Sequence, residues 1–256
     1  MIKETEKMHN SDIMEGMPSI SSVIKAIENK ATDRQILTVF IDLDKKRSKS
    51  REISFLRKKS EALGFSVEFV CNSQIEEFAV GNSHGGIIAF CSERHIPHLC
   101  SKKIKDNGIY YMLEGVEDPY NFGYAVRSIY AAGGDGIILT PRNWMGVAGV
   151  VARSSAGTSE IIDMYVSEAE EAIKLFKERG YKIACAGIRD SISLFDSDLK
   201  KPLFVILGGE KRGISRNVLD SADTIVRIDY GNEFNGSLST AAATAVFAFE
   251  ILRKNK

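Results

Sequence analysis

The stretch GVEDPYNFGYAVRSIYAAGGDGIIL, residues 115 to 139, decides the fold. Asp118-Pro119 closes the apolar run GIYYMLEGV (108 to 116), Asn121 stands where the following helix needs a cap, and Gly133-Gly134 ends that helix before GIILT (136 to 140). Strand, helix and strand in this order make a βαβ unit, and such a unit implies a parallel sheet.

The same alternation runs outward in both directions. Towards the C-terminus, KIACAG (182 to 187), LFVILGG (203 to 209) and TIVRID (224 to 229) read as strands, with helical stretches near 145 to 155, 167 to 179, 215 to 221 and 238 to 253. In the last helix, Leu238, Ala241, Ala242, Ala245, Ala248, Phe249 and Leu252 form one broad stripe, with Phe247 and Ile251 on the other side. A helix so widely apolar is expected to bury itself against the core and a partner. Towards the N-terminus, ILTVFIDL (36 to 43), FSVEFV (65 to 70) and GGIIAFCS (85 to 92) read as strands, and REISFLRKKSEAL (51 to 63) as a helix, giving a small α/β/α unit. The polar run KKIKDN (102 to 107) marks the boundary, so two domains are expected, at residues 1 to 106 and 107 to 256.

The 256 residues carry 34 Lys+Arg and 34 Asp+Glu, a formal charge of zero, with 44% hydrophobic residues. That composition excludes a disordered chain and a disulfide scaffold, and it excludes bulk coating of nucleic acid, which needs a surplus of cations. Four cysteines without a repeated spacing fit a reducing compartment, the start MIKETEKMHN lacks a leader's apolar run, and the apolar stretch Leu238 to Leu252 is too short for a bilayer. A cytoplasmic protein without a membrane partner is expected.

Familiar fingerprints are missing: there is no G-x-G-x-x-G after a strand, no P-loop, no G-x-S-x-G and no H-E-x-x-H. The segment CSERHIPHLC brings Cys91, His95, His98 and Cys100 within ten residues, but the spacing is not that of a zinc finger, and no metal site is expected. Arg127, four residues after Gly123, is on spacing alone an ordinary arginine at a helix boundary. LFVILGGEKRGIS (203 to 215) is a strand running into a glycine-rich loop around Glu210, where backbone can approach a ligand closely. Ser237 stands at a loop-to-helix junction, as an N-cap would. Each signal is weak singly, yet ligands bind at this edge of parallel sheets.

In this order the segments resemble the SpoU/TrmH family of RNA 2′-O-ribose methyltransferases, of the SPOUT class. The first motif, D-P-x-N-x-G-x-x-x-R-[ST], stands as Asp118-Pro119-Tyr120-Asn121-Phe122-Gly123 followed by Arg127-Ser128. The second stands as Leu207-Gly208-Gly209-Glu210-Lys211-Arg212-Gly213-Ile214-Ser215, and the third, S-L-N-V-S-x-A, as Ser237-Leu238-Ser239-Thr240-Ala241-Ala242. Arg153 to Gly157 resembles the family's S-A-G-A segment, and His84-Gly85-Gly86-Ile87-Ile88-Ala89 the turn that closes its N-terminal RNA-binding domain, which is related to ribosomal proteins.

The resemblance implies an α/β fold whose C-terminal domain is a deep trefoil knot, S-adenosylmethionine as cofactor, a homodimer with its site completed across subunits, and methyl transfer to a ribose 2′-hydroxyl. It implies that Leu207, Gly208, Gly209, Gly213, Ile228, Ser237 and Leu238 surround the cofactor. It further implies that Arg127 acts at the reacting centre, with Asn121 and Glu210 organising it and Ser237 and Ser239 positioning substrate or cofactor. A guanidinium is not deprotonated in proteins, so Arg127 is read as a positioner of the ribose and its phosphate, with phosphate or water left as alternative proton acceptors. Departures from the pattern include Ser239 in place of the usual Asn, and Asp229-Tyr230 in place of the usual Pro-Met after Ile228.

From Asp44 to Lys59 eight cations face two acids, a local charge of +6. On an RNA-binding domain, Lys45, Lys46, Arg47, Lys49, Arg51, Lys58 and Lys59, together with His84, become candidate phosphate contacts. Ribosomal RNA is favoured over tRNA because of the added N-terminal domain. The competing expectation is a catalytically silent RNA-binding or assembly protein that keeps the fold, which the Ser239 replacement motivates.

Overall fold

A computed structural model describes residues 12–79, 81, 84–141, 147–209 and 213–256 of the chain. Its elements are β1 (Asp12–Glu15), α1 (Gly16–Glu28), β2 (Ile36–Asp42), α2 (Ser50–Leu63), β3 (Ser66–Val70), α3 (Asn72–Phe78), β4 (Ile87–Cys91), β5 (Ile109–Glu114), α4 (Pro119–Ala131), β6 (Gly136–Leu139), α5 (Ala148–Ser154), β7 (Met164–Val166), α6 (Ala169–Glu178), β8 (Lys182–Ala186), β9 (Ile192–Ser193), β10 (Leu203–Gly208), α7 (Arg216–Asp220), β11 (Thr224–Arg227) and α8 (Thr240–Lys254). The chain divides into two compact units: residues 1–95 with 144–161, and residues 96–143 with 162–256. Packing therefore divides the chain at His95/Ile96, ahead of the polar run, and returns α5 to the first unit.

The second unit is built on a seven-stranded sheet in the order β7-β6-β5-β10-β8-β11-β9, parallel at every pairing. Its strands read as continuous apolar runs because both faces are covered. On one face Tyr110, Met112, Ile183, Phe204 and Ile206 pack with Phe176 of α6, whose ring stacks on Phe204 at 4.1 Å between centroids. Strand alternation turns Tyr111, Leu113, Val205 and Leu207, all buried, to the opposite side. There α4 contributes Phe122, Ala125, Val126 and Ile129 and packs against α8.

The buried residues of α8 are Thr240, Thr244, Phe247, Ala248 and Ile251, while Phe249 is 49% exposed. This corrects the expected stripe. Alanines offer little area to bury, so Phe247 and Ile251 orient the helix, and the Phe249 side faces outward.

The first unit holds a mixed sheet, β1-β4-β2-β3, in which β4 runs antiparallel to both neighbours. One face buries Val39, Ile41, Ile87 and Ala89 with Ile20, Val23 and Ile24 of α1, Ile53 and Leu56 of α2, and Ala152 of α5. The other buries Phe40, Ile88 and Phe90 beside Ile75 of α3.

A buried ion network ties α5 and the turn after it into this unit. Arg34 bonds Glu160 at 3.0 Å and also reaches Asp12 and the Ser92 carbonyl, and Arg153 bonds Glu15 at 3.0 Å. Burial works against the Arg34 charge, but Glu160 and Asp12 more than offset it and hold its pKa above the usual value.

Candidate active site

The first element of the site is the turn between β5 and α4. Asp118, not Asn121, is the N-cap: its Oδ1 accepts the Asn121 N–H at 2.7 Å, and Pro119 fills the first helical position. Asn121 thereby falls in the first helical turn, where it lines a cavity of about 320 Å³ with Gly115 to Pro119 and Thr240. Arg127 lies farther along α4, exposed, on the same side as Tyr120 and Tyr124. Among the described residues it makes no ion pair.

The second element is the glycine-rich end of β10. The Gly209 N–H donates to the Glu114 carbonyl at 2.7 Å, and a Cβ on Gly209 would stand 2.2 Å from the Gly115 carbonyl oxygen. A Cβ on Gly208 would stand 2.6 Å from the Gly213 carbonyl carbon. No side chain fits where the β5 and β10 loops approach this closely. Glu210, with Lys211 and Arg212, lies outside the described residues.

The third element is the start of α8. Here Ser239, not Ser237, is the cap, its Oγ accepting the Ala242 N–H at 3.3 Å. Ser237 and Leu238 precede the cap and line a second cavity, of about 720 Å³, together with Leu207, Gly208, Gly209 and Gly213. Ile228 is not among its lining residues. The remaining wall combines apolar Ile214, Leu219, Ile225 and Ala243 with the charged Arg216 and Asp220, and Thr240 stands beside Gly208.

Two groups of lining residues escaped the sequence reading. One is the loop after β8, Gly187 to Asp190, whose Arg189 and Asp190 add charge to the lining. Its position at the carboxyl end of a parallel strand could have flagged it. The loop is anchored by Ser191, whose Oγ donates to the Ile188 carbonyl at 2.6 Å and whose own carbonyl accepts from Arg227. Asp229 is held below the usual carboxylate range, first by a Ser193 hydrogen bond and then by Arg227. The other is Thr240, which borders both cavities.

The candidate RNA contacts of the first unit fall on one continuous segment, residues 43 to 49 and α2. Lys45, Lys46, Arg47, Arg51 and Lys58 are exposed, and Lys49 and Lys59 are half-buried with Glu52 and Glu28 as partners. Lys46 and Arg57 flank the Phe69 ring at 5.0 and 5.6 Å. His84 differs from the rest: it is buried, its Nδ1 accepts the Gly86 N–H at 3.1 Å, and its Nε2 lies 3.2 Å from Glu76. It holds the turn rather than presenting a surface. Of the zinc-ligand types, Cys91 belongs to the first unit and His98 and Cys100 to the second, and no group of three potential metal ligands occurs among the described residues.

The model of the SpoU rRNA Methylase family matches residues 108–249. The chain belongs to that family. The SpoU match spans the three elements of the site, from β5 to Phe249 of α8. Along its full length the chain is also 25% identical to the 23S rRNA (guanosine-2′-O-)-methyltransferase RlmB of Shewanella oneidensis, over 97% of this chain and 100% of that one. Among solved structures, an AdoMet-bound rRNA methyltransferase from Sinorhizobium meliloti has the same fold, with a TM-score of 0.75 at 23% identity, covering 98% of this chain and 90% of that one. The SpoU methyltransferase AviRb from Streptomyces viridochromogenes, in complex with AdoMet, matches with a TM-score of 0.77 at 17% identity, covering 96% and 91%.

Proposed function

We propose that this SpoU-family chain transfers the methyl group of S-adenosylmethionine to a ribose 2′-hydroxyl of ribosomal RNA. The observation that carries the reading is the meeting of two cavities at Thr240, one large and mostly apolar, the other beside Asn121 at the first turn of α4. The larger suits a nucleoside cofactor in volume and in its apolar wall edged by polar and charged groups, Arg189, Asp190, Arg216 and Asp220 among them. Leu207, Gly208, Gly209, Gly213, Ser237 and Leu238 would hold the adenosine portion, a role that the resemblance also gives to Ile228.

The cofactor supplies an electrophilic methyl on a sulfonium: its C–S bond breaks as the C–O bond forms, and it departs as a neutral thioether. The protein's part is alignment. Arg127 orients the ribose and its phosphate, Asn121 and Glu210 organise that arginine, and Ser237 steadies substrate or cofactor. The Ser239 hydroxyl caps α8, so its role is to fix the start of that helix. The 2′-hydroxyl proton passes to water or to the neighbouring phosphate.

The first unit is the RNA-binding domain, with Lys45, Lys46, Arg47, Lys49, Arg51, Lys58 and Lys59 as its phosphate contacts and His84 supporting them. The second unit is a trefoil knot. In support, β11 lies beyond β8 from β10, yet the chain returns so that Thr240 bonds the Gly208 carbonyl at the end of β10. The protein works as a homodimer in the cytoplasm, where its RNA is.

The test is incubation with methyl-labelled S-adenosylmethionine and unmodified ribosomal RNA, followed by alkaline digestion. Label in alkali-resistant dinucleotides is the expected result. Its absence on ribosomal RNA but presence on tRNA would reassign the substrate, and absence on both would leave a silent RNA-binding protein. Arg127→Ala is expected to bind cofactor as wild type while losing about a hundredfold or more in turnover; full turnover would overturn the role given to Arg127.

A further inference from the structure

We infer that Thr240 is a positioning residue for the methyl transfer, and that its hydroxyl, rather than Ser239, is the polar group fixing the partition between donor and acceptor cavities. The inference rests on the methyltransferase reading above and gives a role to a residue that stands where the S-L-N-V-S-x-A pattern has Val, so the tie made by its hydroxyl is particular to this chain.

Thr240 is the only residue among the described ones that lines both cavities. It is 5% exposed, and its Oγ1 donates to the Gly208 carbonyl at 3.3 Å. Gly208 is the last residue of β10, where a Cβ would collide with the Gly213 backbone, so this position has no side chain of its own with which to set its distance from α8. A threonine in the first turn of α8 supplies that tie from the other side. Its backbone is fixed in turn: the Thr240 carbonyl accepts the Thr244 hydroxyl at 2.7 Å, and Ser239 caps the helix one residue earlier. Ser239 itself is exposed and lines neither cavity.

The consequence is geometric. An in-line displacement needs the attacking oxygen about 3 to 3.5 Å from the methyl carbon and aligned with the breaking bond. If the acceptor ribose occupies the Asn121 cavity and the cofactor the larger one, the approach passes Thr240. Loosening the tie between α8 and Gly208 then costs alignment without emptying either cavity.

The experiment compares wild type, Thr240→Val and Thr240→Ser. Thr240→Val keeps the shape and removes the hydroxyl; Thr240→Ser keeps the hydroxyl. For Thr240→Val, calorimetric titration should give cofactor affinity within about threefold of wild type, with the KM for RNA similarly unchanged and kcat lowered about tenfold or more. Thr240→Ser should recover kcat to within about threefold. Hydrogen–deuterium exchange of the peptide spanning β10 should rise for Thr240→Val and return to the wild-type level for Thr240→Ser. An unchanged kcat in Thr240→Val, or a Thr240→Ser protein as slow as Thr240→Val, would overturn the inference. The exchange measurement needs no turnover. If the wild type proved inactive on every RNA, the methyltransferase reading would fall by itself, and unchanged exchange in Thr240→Val would separately overturn the partition.

Discussion

The two caps of the site show what a residue's neighbours in sequence reveal and what they do not. Asp118 and Ser239 each accept a backbone N–H three residues on, a local event, and capping residues were expected within two or three positions of both. The exact cap was misassigned both times, because Asp118 and Asn121, and Ser237 and Ser239, are nearly equivalent capping residue types only two or three positions apart. Thr240 was not legible at all, since its role comes from the approach of α8 to the end of β10, across 32 residues of chain. The cysteines allow a prediction at the same scale. Burial pushes the thiols of Cys91 and Cys185 up to about 12, whereas Cys71 is exposed and held below the usual thiol value, first by Ser73 and then by the Gln74 backbone. Only the thiolate is alkylated, so its fraction rises with pH and levels off above the pKa. Native protein treated with iodoacetamide near about pH 8 should carry label at Cys71 while Cys91 and Cys185 stay unmodified. Peptide mass spectrometry checks this, and early labelling of Cys185 would mean that the β8–β10 core opens.

At the level of elements, every strand expected from residue 36 to 227 exists with its ends trimmed, because each is a short run rich in apolar and β-branched residues, continuous in the central strands and alternating in β3. The elements missed are β1, α1, α3, β7 and β9. The two-residue β9 has no periodicity to read, and the N-cap position of α1 is Glu15, which provides no side-chain cap. The assignment of α5 and the turn after it to the first unit was equally hidden, since it rests on Arg153 with Glu15 and on Arg34 with Asp12 and Glu160, far apart in the chain. That network yields a prediction. Arg34→Ala leaves two carboxylates facing each other without their cation, and breaking a buried pair costs about 3 to 5 kcal/mol. Denaturant unfolding of Arg34→Ala should show a loss of that order, whereas a loss below about 1 kcal/mol would mean that solvent reaches the network. Lys59, whose partner Glu28 is on the surface, should cost less than about 1 kcal/mol when changed to Ala.

On the scale of the whole molecule, zero net charge averages a first part, residues 1 to 110, at +2 and a remainder at −2, with +6 gathered between Asp44 and Lys59. Triple substitution of Lys45, Lys46 and Arg47 by Gln should weaken RNA binding and flatten its dependence on salt by about two to three counterions, while leaving cofactor affinity unchanged. The outward side of the second unit has a different character. Tyr120, Tyr124 and Tyr130 of α4 and Phe249 of α8 are each more than 40% exposed, on two helices that pack against one another. Large apolar side chains gathered on one surface mark an interaction site, and Arg127 shares the Tyr120 and Tyr124 side of α4. A second copy of the chain covering this surface would bury the aromatic rings and bring its own residues to Arg127, which would reconcile the exposure of this arginine, and its lack of an ion pair among the described residues, with the role proposed for it at the reacting centre. Phe249→Asp tests the arrangement. The side chain is half-exposed, so folding should survive with thermal stability lowered by only a few degrees at most. Sedimentation should show wild type at twice the mass of the chain and Phe249→Asp at the mass of one. The separated chain should still bind cofactor, since the larger cavity is lined by one chain, and should lose methyl transfer. Wild type sedimenting as a monomer, or a monomeric Phe249→Asp with full turnover, would place the whole reaction within one chain and leave the aromatic surface to another partner.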